Sequence, residues 1–122
     1  MAVQLQQEGE TINYINSGSA ITAGSVVAIG HMIGIALVDI AATTGTGAVA
    51  IEGVFSGIPK VTGAVFVQGE KLLWDTSAGK FDDSAATPAT GDIMGAVVAW
   101  VAGANNETTC TIKLTPGNAT LT

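Results

Sequence analysis

A chain of 122 residues with a formal net charge of −6, four lysines and no arginine reads as one domain, large enough to bury a core of its own and too small for a two-domain enzyme. The sign of that charge is opposite to what phosphate neutralisation requires, which disfavours nucleic-acid binding, and no run approaches the ~20 consecutive apolar residues of a spanning helix. Charged residues are only 11% of the chain, against about a quarter in ordinary soluble domains, so a monomer would have little to cover its outside, and a homo-oligomer or a protein docked on a larger assembly is expected.

Residues 1–10, Met-Ala-Val-Gln-Leu-Gln-Gln-Glu-Gly-Glu, lack the basic start and apolar stretch of a secretory signal, so export by that route is not expected. They read either as an arm that could add a strand to a partner's sheet edge or as a disordered tail. Ala, Gly, Val and Thr make up about half of the chain, and small β-formers punctuated by glycine point to an all-β domain, a compact β-sandwich or barrel of short strands with extended terminal arms. Strands are expected at Thr11 to Ile15, Ser25 to Ile29, Met32 to Val38, Ala48 to Phe55, Ala64 to Val67, Leu72 to Asp75, Lys80 to Asp82, Ile93 to Val101 and Thr108 to Leu114. The arm is thus 1–10, the β-domain 11–115 and the C-terminal tail 116–122.

Two segments carry more detail. Leu72 to Phe81 reads as a β-hairpin whose Asp75 supplies local backbone hydrogen bonds and whose Gly79 supplies a positive φ, with Trp74 and Phe81 placed to pair across the strands. Ile93 to Val101 is apolar on both faces, the pattern of a central strand covered on one side by the core and on the other by a neighbouring sheet or subunit; Trp100, near its end, is the residue to plug such an interface. Thr108 to Leu114 alternates cleanly, with Cys110, Ile112 and Leu114 on the core face. Pro59 suits an edge or corner between strands, where its missing donor is not needed.

Chemistry is sparse. His31 is the only histidine and sits between two apolar runs, as at a strand end or turn. Cys110 is alone, which rules out an intrachain disulfide and fits synthesis in a reducing cytoplasm, and on an apolar face it behaves as a small hydrophobe. Asp82 and Asp83 would project to opposite faces of a strand, whereas Asp75 and Asp82 could approach near the hairpin and, with carbonyls, hold a divalent cation; solvated strand ends are the plainer reading. Around Ala78-Gly79-Lys80 a phosphate loop would need glycine where Trp74 stands and Ser or Thr where Phe81 stands. No cofactor is expected.

Gly53-Val54-Phe55, Pro59-Lys60, Gly69 and Leu73-Trp74-Asp75, followed by the turn at Gly79 and the aromatic Phe81, together resemble the small capsid cement, or decoration, proteins of tailed phages and prophages. The resemblance implies a structural virion protein, a homotrimer, that docks on the outside of the expanded head against the major capsid protein and has no enzymatic step. It also implies packing roles for Phe55, Pro59, Trp74, Asp75, Gly79 and Phe81, and capsid or subunit contact for Val3, Leu5 and Trp100. Proteins of this kind are sometimes labelled phage recombinases of the RecA/RadA type; the failed phosphate loop, the acidic charge and the small size argue against that chemistry here. A virion-displayed receptor- or carbohydrate-binding β-module is the alternative.

Overall fold

A computed structural model describes Val3, Gln7 and residues 9–122. Among these are ten strands and no helix: β1 (Thr11–Ile15), β2 (Val26–Ile29), β3 (Met32–Ala36), β4 (Thr46–Ala50), β5 (Val54–Pro59), β6 (Lys71–Asp75), β7 (Lys80–Asp82), β8 (Ile93–Ala99), β9 (Thr109–Leu114) and β10 (Thr120–Leu121). They pair antiparallel into a four-stranded sheet, β1-β4-β3-β2, and a six-stranded sheet, β5-β9-β8-β6-β7, with β10 joined to β8.

The larger sheet curls until its two ends meet. Just past β5 the chain forms a parallel bridge from Lys60 to Phe81 of β7, and the Val61 N–H donates to the Phe81 carbonyl at 2.9 Å. This stitch gives the sheet a barrel-like closure, which protects an edge that would otherwise be open to pairing with other chains. Inside lie Ile58, Phe66, Leu72, Trp74, Phe81, Ile93, Val97, Ile112 and Leu114, and the smaller sheet adds Ile33 and Ile35 from one face of β3. Its opposite face carries a second cluster, Val27, Ala36, Ile40 and Val49, packed by Ile12, Tyr14, Ile21 and Ile29. The period of two in β3 sends alternate residues into the two clusters.

Two strand expectations are corrected. The stretch 48–55 is not one strand: it breaks at 51–53, where Gly53 has φ +120°, so that β4 ends in the small sheet and β5 begins in the large one. The pattern of apolar residues ran through this switch because both halves are β-structure. The stretch 64–67 is not a strand either; it lies between turns closed by Ala64 N–H to the Val61 carbonyl and Glu70 N–H to the Val67 carbonyl, and only Phe66 forms a bridge, to Gly103. Its alternation is real, since Phe66 is buried while Val65 and Val67 are exposed, yet the two turns leave no room for a ladder.

The C-terminal segment does not stand free. Thr120 and Leu121 pair with Met94 and Ile93, and Thr122 exchanges backbone hydrogen bonds with Gly91 and Asp92.

Candidate docking surface

The order of strands in the large sheet sets side chains beside one another on its outer face. Lys71 of β6 is opposite Val98 of β8, Val98 is opposite Lys113 of β9, and Lys113 is opposite Val54 of β5, giving a row across four strands at about 4.8 Å per step. The inward partners of the same strands, Val97, Ala99, Ile112 and Leu114, are buried, so the row faces out. Two residues beyond Val98, Trp100 extends the same face; its N–H donates to the Thr111 carbonyl at 3.0 Å, and its side chain is 47% exposed.

The segment 64–70 frames this tryptophan. The Gln68 side-chain amide donates to the Trp100 carbonyl at 3.0 Å, and Gly69 N–H donates to the Ala99 carbonyl at 2.7 Å. An open cleft of about 280 Å³ results, lined by Gln68, Gly69, Val98, Ala99 and Trp100. Val65, Val67 and Val101 are exposed nearby in sequence and pairing. The Glu70 carboxylate pins the frame, accepting from Val67 N–H at 2.7 Å, Ser84 N–H at 2.8 Å and the Ser84 hydroxyl at 2.6 Å. Partial burial pushes this carboxyl up, but the Ser84 and Val67 hydrogen bonds together win and hold it below its ordinary value.

A hairpin joins β6 to β7. Trp74 and Phe81 face each other across β6 and β7 with ring centroids 4.9 Å apart and planes tilted by 55°, and both are buried. The Asp75 carboxylate accepts from Ala78 N–H at 3.1 Å and from the Ser77 hydroxyl at 2.9 Å; these bonds lower its pKa. Gly79, with φ +67°, returns its N–H to the Asp75 carbonyl at 2.8 Å, a conformation that a side chain would strain. Phe55 is half-buried against the main core. Pro59 ends β5 opposite Thr109, at the side of the sheet. Val3 is exposed, and Leu5 lies outside the described residues.

Of the two acids weighed for a cation, Asp75 is opposite Lys80 and Asp82 is opposite Leu73, so they are diagonal neighbours across the hairpin. No cluster of three or more metal-ligating side chains occurs among the described residues. His31 is exposed in the tight turn between β2 and β3. Cys110 is buried, with its thiol 3.4 Å from the Ile58 carbonyl; burial pushes the thiol up to about 11 against the smaller pull of Lys60, the opposite of an activated nucleophile. A cleft of about 490 Å³ bordered by Ala23, Gly24, Ser25, Val26, Gly57, Pro59, Trp74 and Gly79 presents little aromatic surface, because Trp74 is buried.

The buried polar residues Asn16, Lys60 and Asp92 escaped the sequence reading. Lys60 is fully buried, its ammonium donating to the carbonyls of Val61, Thr62 and Glu107 at 2.9, 3.4 and 3.3 Å and standing 5.3 Å from the Phe66 ring centroid. Asp92, also buried, accepts from Thr76 N–H at 3.1 Å and Ala89 N–H at 2.9 Å, fastening the loop before β8 to the hairpin.

No curated protein and no solved structure matches the chain. The family model for phage cement proteins matches residues 6–114, a span that takes in β1 to β9 and every residue of the outer face just described. A rigid, closed β-domain with a half-exposed tryptophan on its outer wall suits a structural part of a phage capsid, and the chain belongs to the phage cement protein family.

Proposed function

We propose that the protein binds the outer surface of the expanded phage head, as a homotrimer in contact with the major capsid protein, and stabilises the shell without any enzymatic step. The observation that carries the reading is the exposed apolar face around Trp100 on a wall that the family match covers: a chain with so few charges leaves this surface to be covered by assembly. The arm 1–10, with Val3 and Leu5, is a second contact in this proposal, reaching from the domain 11–115 to the capsid or a neighbouring copy. Synthesis takes place in the bacterial cytoplasm, where the lone Cys110 stays reduced.

The physical task is linkage. A ligand that binds only the expanded lattice stabilises it by RT ln(1 + [L]/Kd) at each site, and many identical sites act together against the pressure of packed DNA. Co-sedimentation with expanded and unexpanded heads tests this. Saturable binding to expanded heads alone, at a fixed ratio to the major capsid protein, is the expected result; binding to neither form would contradict it and favour a receptor- or carbohydrate-binding module displayed elsewhere on the virion.

A further inference from the structure

The chain has ten carboxylate side chains and four lysines, and one of those lysines, Lys60, is fully buried. Of the three exposed lysines, Lys80 lies in the hairpin opposite Asp75. The other two, Lys71 and Lys113, stand on either side of Val98 in the outer row that also carries Val54 and leads to Trp100. Two carboxylates from the surrounding segments are turned onto the protein's own backbone: Glu70 accepts from Val67 and Ser84 N–H, and Glu107 accepts from Ala104 N–H. An acidic molecule therefore gathers most of its exposed positive charge on one face, and that face is also apolar.

We propose that this face, with Val54, Val98 and Trp100 between Lys71 and Lys113, is the surface that meets the capsid, and that its counterpart is an acidic, partly apolar protein surface on the shell. The proposal rests on the capsid-binding reading above. Charge complementarity selects the partner: a protein of net charge −6 is repelled from an acidic surface in every orientation except one that leads with its lysines, so the same charges steer the encounter and fix its direction. Lysine suits such a face, since its apolar stem can cover neighbouring apolar surface while the ammonium group stays hydrated until docking, and Trp100 supplies the large amphipathic anchor that dominates the centre of such contacts.

The test compares binding to expanded heads, at low and raised salt, of the unmodified protein, the double variants Lys71→Glu/Lys113→Glu and Lys71→Arg/Lys113→Arg, and Lys80→Glu, with sedimentation velocity of each free protein. Expected are a loss of affinity of about tenfold or more and a flattened salt dependence for the double glutamate variant, unchanged binding for the arginine variant and for Lys80→Glu, and one sedimentation coefficient throughout. Normal binding by the double glutamate variant overturns this proposal alone. A change in its oligomeric state overturns it in favour of a face between copies of the chain. Failure of the unmodified protein to bind heads overturns the capsid reading and this proposal with it.

Discussion

At the scale of single residues, the carboxylates act as local fasteners. Asp75 closes the hairpin turn through Ala78 and Ser77, and Glu70 ties the 67–70 turn to Ser84. Both are held below their ordinary values of 3.8 and 4.5, so the stability they contribute is complete above those values and is lost as pH falls through the lowered values of the folded state. Denaturant midpoints followed from neutral pH to below about 4 should therefore fall on an acid limb. That limb should be shallower in Asp75→Asn and Glu70→Gln, which retain an acceptor oxygen and remove the titration. An unchanged limb in both variants would show that other groups govern it. Hairpin chemistry of this kind was legible in the sequence because it is local: Asp, Gly and the facing aromatics lie within eight residues of one another. Lys60 was not legible, since its three carbonyl partners include Glu107, 47 positions away, and a lysine beside a proline gives no sign of burial.

At the scale of elements, β8 is the axis of the large sheet. It pairs with β6 on one side and with β9 and β10 on the other, as its doubly apolar pattern foretells. The docking of β10 depends on a close approach that only glycine permits: a Cβ on Gly95 would come within 2.7 Å of the Asn118 carbonyl oxygen, and the residue has φ +87°. Nearby, Thr115 N–H donates to the Ala96 carbonyl at 2.9 Å and the Thr115 hydroxyl to the Gly95 carbonyl at 3.0 Å. Gly95→Ala should cost about 2 kcal/mol or more, combining backbone strain with a displaced turn, and hydrogen exchange should quicken first at Thr122, whose N–H donates to the Asp92 carbonyl. Unaltered protection there would contradict the role given to Gly95. The sequence offered the tail 116–122 no anchor, because a two-residue strand has too few side chains to produce a pattern. It likewise hid the break between β4 and β5, where apolar residues continue across a change of sheet.

At the scale of the whole molecule, the composition and the fold answer the same problem. The chain has few charges, so it closes its large sheet by the Lys60–Phe81 stitch, buries two apolar clusters and leaves exposed a face whose tryptophan the sequence marked but whose lysines it did not. Lys71 and Lys113 are far apart in the chain, and only the order β9-β8-β6 sets them on either side of Val98. Family membership gives the protein a structural role on a phage capsid, and that surface is the one proposed to meet the shell. The task of a cement is mechanical: bound copies must make the expanded shell harder to rupture. The most direct measurement heats DNA-filled heads prepared without this protein and then restored with it, following release of DNA with an intercalating dye. Restored heads should release their DNA at a higher temperature, with the gain saturating as the sites fill; release at the same temperature with every site occupied would contradict the claim that this protein cements the shell.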